Sequence, residues 1–247
     1  MSNASKILMG SGASESDVIE QSLILQATDT PNIYRQAAAT GNRKTFTFSC
    51  WYKSSGVEGV KMFFSYGHAS GGHDVYLSQY YQNLRVIFFD GSVNAQLFTT
   101  PLFRDYSAWY HLVLAVDTTQ GTAANRIKLY VNGTQITELS TATYPSQNFD
   151  TAFSLNGHYL SIAQNAYWHT SNTYNGGVDG NLAEVHVLDG VAKAPSDFGE
   201  TNSDTGQWVP KEYEGGSYGT NGFYGKFASG AIGTDSSGNS NTMTVAN

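Results

Sequence analysis

Only a few residue types here could do chemistry, and their spacing limits what they could do. A retaining glycosidase needs two carboxyl groups about 5–5.5 Å apart, and on a strand only alternate residues share a face. The nearest acidic pair on a strand-like stretch is Glu184 and Asp189. Being five positions apart, they fall on opposite faces. That argues against retaining chemistry and leaves inverting chemistry open. Glu184 is expected on an outward face or beside a cation. The chain has no nucleophile elbow, no phosphate-cradling glycine loop and no zinc-ligand spacing. Its six histidines, His68, His73, His111, His158, His169 and His186, form no paired ligand motif. His111 and His186 fall on strand-like stretches and read as hydrogen-bonded sandwich residues. Cys50, mid-strand beside Phe48 and Trp51, reads as a small buried hydrophobe. No catalytic residue is assigned, and the chain is read as a non-enzyme.

Recognition of a sugar asks for different groups: flat aromatic rings for the pyranose face, and Asn, Asp, Gln or His for its hydroxyls. Two segments supply them. Residues 158–175 offer Tyr167, Trp168, His169 and Tyr174, and residues 66–81 offer Tyr66, His68, His73, Asp74, Tyr80 and Tyr81. The candidates for glycan binding or subunit contact are therefore Tyr167, Trp168, His169, Tyr174, His73, Tyr80 and Tyr81. The alternatives stay open, because a chain with 16 Tyr, 13 Phe and 4 Trp leaves aromatics in loops as packing plugs or as contacts with a neighbouring subunit.

These groups need a scaffold, and the composition specifies its class. The 247 residues suit one domain, and all-β folds often reach about 250 residues as one unit. Charged residues make up 13%, about half the usual share. Few charges with many aromatics, Gly, Ser, Thr and Asn favour strands and tight turns. Period-2 alternation bears this out. In 44–53, Phe46, Phe48 and Cys50 share one face and Thr45, Thr47 and Ser49 the other. Residues 108–117 are apolar on both faces, as in a central strand. Residues 125–131 alternate and run into Asn132-Gly133 and TQITEL, a strong hairpin signal. Residues 181–188 alternate again. Further strands are expected at 22–28, 60–66, 73–79, 83–90, 93–99, 152–162 and 221–228, and one helical turn at 195–199. Residues 200–220 and 229–241 are irregular and read as loops wrapped over the domain. The expected layout is an N-terminal attachment arm at 1–20 and a β-sandwich over 21–247. Net charge is −7 with no basic run, so no nucleic-acid partner is expected. No stretch approaches the ~20 apolar residues of a membrane span, and no secretory signal is expected at the start.

Particular motifs narrow the class. Trp109-Tyr110-His111 opens a strand, followed by IKLYVNG (127–133) and NLAEVHVLDGVAKAPSDFG (181–199). This order resembles the laminin-G-like and pentraxin-like branch of the concanavalin A-like lectin/glucanase superfamily over about residues 20–190. The resemblance implies an all-β, two-sheet antiparallel jelly-roll sandwich with an N-terminal arm and irregular C-terminal loops. The Glu-x-Asp-x-x-Glu pattern of that superfamily's glucanases does not occur. Relatives often bind calcium at loop ends, which requires six to eight oxygens. Asp74, Asp90, Asp150, Asp179 and Asp189 adjoin turns without forming a dense cluster. Asp74 and Asp179 are the calcium candidates, and no other cofactor is expected.

A second, narrower resemblance covers most of the chain. NRKTFTFSCWYK (42–53), FRDYSAWYHLVLAVDTTQGTAANRIKLYVNG (103–133), DGNLAEVHVLDG (179–190), FGETNSDTGQWVPKEY (198–213) and the C-terminal GTNGFYGKF and DSSGNSNTMTV are similar to virion proteins of marine and cyanobacterial tailed phages. That resemblance implies a structural protein on the particle surface, a capsid decoration or head-fibre protein assembled in the host cytoplasm. It also implies contacts with other capsid or tail proteins and a homo-oligomer such as a trimer. The alternatives are a tail-associated adhesin for host glycans and a glycan depolymerase.

Overall fold

The computed structural model describes residues 19–27, 31–56, 59–166 and 176–246. Its strands, numbered along the chain, form two large antiparallel sheets. The seven-stranded sheet runs in the order β1 (Leu23–Leu25), β13 (Gly180–Asp189), β3 (Thr45–Ser54), β8 (Tyr110–Asp117), β9 (Ile127–Val131) and β10 (Thr134–Gln135), with β16 (Phe223–Gly225) also paired to β13. The eight-stranded sheet runs β11 (Leu139–Thr143), β7 (Val93–Thr99), β6 (Asn83–Phe89), β5 (Asp74–Tyr80), β4 (Val60–Gly67), β12 (Tyr159–Ile162), β2 (Asn32–Gln36) and β17 (Thr244–Ala246). A small pair, β14 (Gly199–Thr201) and β15 (Trp208–Pro210), lies apart. This is the all-β antiparallel sandwich that the family resemblance implied, where the alternation alone also allowed a barrel.

The inner faces meet in one apolar core. Phe46, Phe48 and Cys50 of β3 enter it with Phe64 and Tyr66 of β4, Val75 and Leu77 of β5, and Leu112 and Leu114 of β8. Phe46 stacks on Phe153 at 4.1 Å between ring centroids, and Phe48 on Phe64 at 4.9 Å. Cys50 is fully buried, and burial pushes its thiol above the ordinary value. Strand β8 is covered on both faces, with Leu112 and Leu114 in the core and Val113 in a separate outer cluster.

Some sequence-level expectations change in detail. Asn132 and Gly133 both take positive φ, +47° and +79°, as a two-residue hairpin of type I′ requires. TQITEL, however, does not continue as one strand. Only Thr134–Gln135 pairs with β9, and the chain then crosses so that Leu139–Thr143 pairs with β7 in the other sheet. Only 159–162 of the expected strand 152–162 is extended in a sheet. Strand β2 was not anticipated, nor was the β14–β15 pair within the irregular 200–220 stretch, nor the terminal β17. All are short and carry too few alternating positions to register as periodicity.

Strand β13 contains a bulge that simple alternation misses. Ala183 stands opposite Trp51 and His186 opposite Ser49, so one extra residue is inserted between them, and Glu184 takes φ +47°. The bulge lets Leu182 and Val185 both face the core while Ala183 packs outward on Trp51. Glu184 in the bulge and His186 just past it face outward, and Asp189 stands opposite core-facing Phe46. Glu184 and Asp189 thus lie on opposite faces. Asp189 is 6% exposed. It accepts hydrogen bonds from the Asn42 N–H, the Ser154 hydroxyl and the Asn221 N–H at 2.7–3.0 Å. That satisfies a buried acceptor and ties the strand end to the C-terminal segment.

Candidate functional site

The outer face of the seven-stranded sheet is closed by the chain itself. Trp208 stacks on His111, which stacks on Trp51, with centroid separations of 6.0 and 4.9 Å. The Trp208 indole N–H donates to His111 Nδ1 at 2.9 Å, so His111 carries its proton on Nε2 and faces Ser49 Oγ, also at 2.9 Å. The indole fits because Gly133 and Gly199 lack side chains. A Cβ at either position would stand 2.6–2.7 Å from its ring. Alongside, Phe198, Tyr213, Tyr218 and Tyr224 surround His186, whose Nδ1 lies 2.8 Å from the Tyr218 hydroxyl. Burial pushes both imidazoles down to about 3. They are neutral packing groups at any ordinary pH.

A cleft of about 310 Å³ opens at the edge of this covered face. Glu20, Glu184, Glu212, Lys211, Lys226 and Tyr224 contribute to its lining. Burial raises the Glu184 carboxyl above its ordinary range, the Tyr224 hydroxyl and Lys226 oppose that shift, and Glu212 adds to it.

The outer face of the eight-stranded sheet is built differently. The β5–β6 hairpin turns through Tyr81 and Gln82, and its register sets Ser78 opposite Arg85 and Tyr80 opposite Asn83. Tyr76, Ser78 and Tyr80 share one face of β5 by strand alternation. The diagonal neighbours of Arg85 are therefore Tyr76 and Tyr80, and its guanidinium carbon lies 5.4 and 5.0 Å from their ring centroids. On the other side β7 sets Phe98 opposite Arg85, and Phe98 meets Tyr80 edge-on at 6.1 Å. Tyr81 extends the surface. It is 56% exposed, meets Tyr80 edge-on at 5.0 Å, and takes φ +55°. That backbone conformation is costly for a bulky residue and is often found where a side chain must be aimed. The Arg85 side chain forms no ion pair or hydrogen bond among the described residues, and its Nε is buried without an acceptor. Burial raises the Tyr76 phenol above its ordinary value, and the adjacent Arg85 charge pulls it back.

The sequence candidates are divided among several places. Tyr80 and Tyr81 belong to the Arg85 surface. The other end of β5 carries Asp74, with His73 and His68 in the preceding turn. His158, from the second candidate segment, joins them, its ring 5.3 Å from His68 and 6.3 Å from His73. His158 is 6% exposed with both ring nitrogens unpartnered, and burial first, then His68, push it down to about 4. Tyr66 faces the core and is unavailable. Tyr167, Trp168, His169 and Tyr174 lie outside the described residues, as does most of the expected arm. The flanks of 167–175 are placed. The Ala166 N–H donates to Ser65 Oγ on the outer face, and the Gly176 carbonyl accepts from the Met62 N–H, at the same end of the sheet as Tyr80.

The calcium candidates do not assemble one site. Asp179 belongs to the seven-stranded sheet side, where it accepts from the Ala27 N–H at 3.3 Å. Asp74 sits in the eight-stranded sheet, raised by burial to about 6. No group of three or more His, Cys, Asp or Glu among the described residues could hold a metal ion.

Arg85, Tyr76 and Phe98 were not singled out in the sequence. The available signal was the run DVYLSQYYQNLRVIFF, in which a two-residue turn at Tyr81-Gln82 puts Arg85 across from Ser78.

Comparison with known proteins agrees with this architecture. The chain matches solved structures at the level of fold. These include domains LG4-5 of the mouse laminin α1 chain (TM-score 0.50, 10% identity, 85% of this chain and 48% of that one). They also include a mutant NanB sialidase of Streptococcus pneumoniae (TM-score 0.50, 13% identity, 74% and 29%). A heptameric SAP-like pentraxin of Limulus polyphemus gives a TM-score of 0.48 at 17% identity, over 66% of this chain and 71% of that one. No curated protein sequence matches. The Laminin_G_3 family profile matches residues 28–196, the span holding both sheets' central strands and the Arg85 surface, and so places the chain in the concanavalin A-like lectin/glucanase superfamily.

Proposed function

We propose that this chain is a non-enzymatic structural protein of a tailed-phage virion, a capsid decoration or head-fibre protein exposed on the particle, whose eight-stranded sheet turns an aromatic face toward a host glycan. Two things support the reading: the resemblance of its sequence motifs to those of phage virion proteins, and the Arg85 surface. The observation that carries the glycan contact is the row of Tyr76, Arg85, Tyr80 and Phe98 on a lectin-like sheet, none of whose rings is fully buried. In this reading the protein docks on other capsid or tail proteins as a homo-oligomer. Gold-labelled antibody against the chain should decorate the capsid in electron micrographs of particles. A glycan array should show binding that Tyr80→Ala weakens. Label on neither capsid nor tail would remove the virion role, and an array silent with the parent protein would remove the glycan contact.

A second reading, a glycan depolymerase, has one observation in its favour: the raised carboxyl of Glu184 in a cleft that also contains Glu212. A carboxyl raised above its ordinary range is better suited to act as a general acid. The Tyr224 hydroxyl already engages it. If this reading held, host polysaccharide would gain reducing ends on incubation with the protein and Glu184→Gln would abolish the gain. No reducing ends with the parent protein would end it.

A further inference from the structure

We infer that the Arg85 surface recognises an acidic sugar, a pyranose bearing a carboxylate or a sulfate, with the guanidinium as its anion receptor. This deepens the glycan reading of the same face and rests on it.

Acids outnumber bases 20 to 13 in this chain, so a cation has many potential partners. Lys44 pairs with Asp150 and Lys193 with Asp197. Arg35 bonds Asn221, and Arg43 and Arg126 each donate to backbone carbonyls. Arg85 does none of this. Its neighbours by register are Ser78 and Phe98, and by diagonal Tyr76 and Tyr80. The nearest carboxylate on that face along β5 is Asp74, four residues from Ser78, or about 13 Å along a strand.

A guanidinium between two rings loses little further freedom on binding. Its planar fork matches a carboxylate or sulfate edge. Phe98 and exposed Tyr81 flank the charge and offer flat apolar surface to the C–H face of the same sugar. A neutral glycan would use the rings and leave the charge unmatched. The test must also exclude general attraction to polyanions, and the net charge of −7 already opposes that.

Affinity electrophoresis of the full chain through gels containing polygalacturonate, dextran sulfate or neutral dextran tests this. Retardation is expected in one or both acidic gels and not in dextran, and the stronger of the two identifies carboxylate or sulfate. Arg85→Gln should weaken it about 30-fold, the worth of a charge-assisted bidentate contact. Arg85→Lys, which keeps the charge and loses the fork, should weaken it about 10-fold. Lys128→Gln, the same charge change on the other sheet, should leave it unchanged. Thermal melting should confirm that the variants fold. Equal retardation in dextran, or retention unaffected by Arg85→Gln, would overturn the acidic-sugar inference and leave the glycan surface standing. Failure in all three gels together with a silent glycan array would overturn both.

Discussion

The two sheets begin from similar outward-facing material and finish it differently. Each outer face carries aromatic rings interleaved with a basic or imidazole side chain. On the seven-stranded sheet the chain's own residues 198–218 close over that face, so His111 and His186 become neutral and dry, with His111 held between Trp208 and Ser49 and His186 Nδ1 against the Tyr218 hydroxyl. On the eight-stranded sheet Tyr76, Arg85, Tyr80, Tyr81 and Phe98 stay in reach of solvent, and the Arg85 charge has ring contacts but no ion pair among the described residues. Composition alone therefore does not separate packing from recognition. A covering segment packs over one face, and the other stays open.

Substitutions on the covered face should cost stability, and those on the open face should cost binding. The largest loss is expected for Trp208→Ala. It removes the indole from its slot between Gly133 and Gly199 and leaves buried His111 Nδ1 without a donor. Urea denaturation should show a loss of about 3 kcal/mol. Gly133→Ala should follow at about 2 kcal/mol. The new Cβ meets the Trp208 ring, and φ +79° is unfavourable for alanine. A loss below 0.5 kcal/mol for either would mean that the C-terminal cover is not part of the stable fold.

Acidification should act next, through buried histidines of both sheets. His111 and His186 at about 3, and His158 at about 4, lie below the ordinary histidine value, chiefly through burial. Between pH 4 and 6.5 each takes up a proton on unfolding, so their contribution to stability is complete above pH 6.5 and is lost as pH falls. Asp74, raised to about 6, and Glu184, also raised, release protons on unfolding and act in the opposite direction. The three histidines outweigh the two carboxyls, so unfolding takes up protons on balance and stability should fall as the pH drops from 6 to 5. Urea midpoints that rise between pH 6 and pH 5 would contradict the neutral, buried state of these histidines.

The smallest stability effect belongs to the open face. Tyr81→Asn removes a largely exposed ring and puts a residue tolerant of φ +55° in its place. Stability should stay within about 0.5 kcal/mol, while array binding weakens. A large stability loss would place Tyr81 in packing after all.

Long alternating strands were legible in the sequence because each buries one full face. Phe46, Phe48 and Cys50 announce β3, and Asn132-Gly133 announces its hairpin through the φ that both positions require. The short strands β2, β14, β15 and β17 were not legible, because three to five residues cannot establish a period. The bulge at Glu184 was hidden because it shifts the phase within a run that looks regular. Of the binding surface, Tyr80 and Tyr81 could be found by residue type. Arg85 could not, because its role comes from cross-strand register. His158 meets His68 and His73 only because β12 returns beside β4, a contact that no local pattern encodes.

The central claim is that recognition belongs to the open face of the eight-stranded sheet. Amide chemical-shift mapping of the labelled protein, titrated with the best ligand from the glycan array, tests it most directly. Shifts should gather on Tyr76 to Phe98, centred on Arg85, with the Trp208–His111 stack silent. Shifts gathered instead around Glu184, Glu212 and Lys226 would contradict the account and move the function to the cleft at the other sheet.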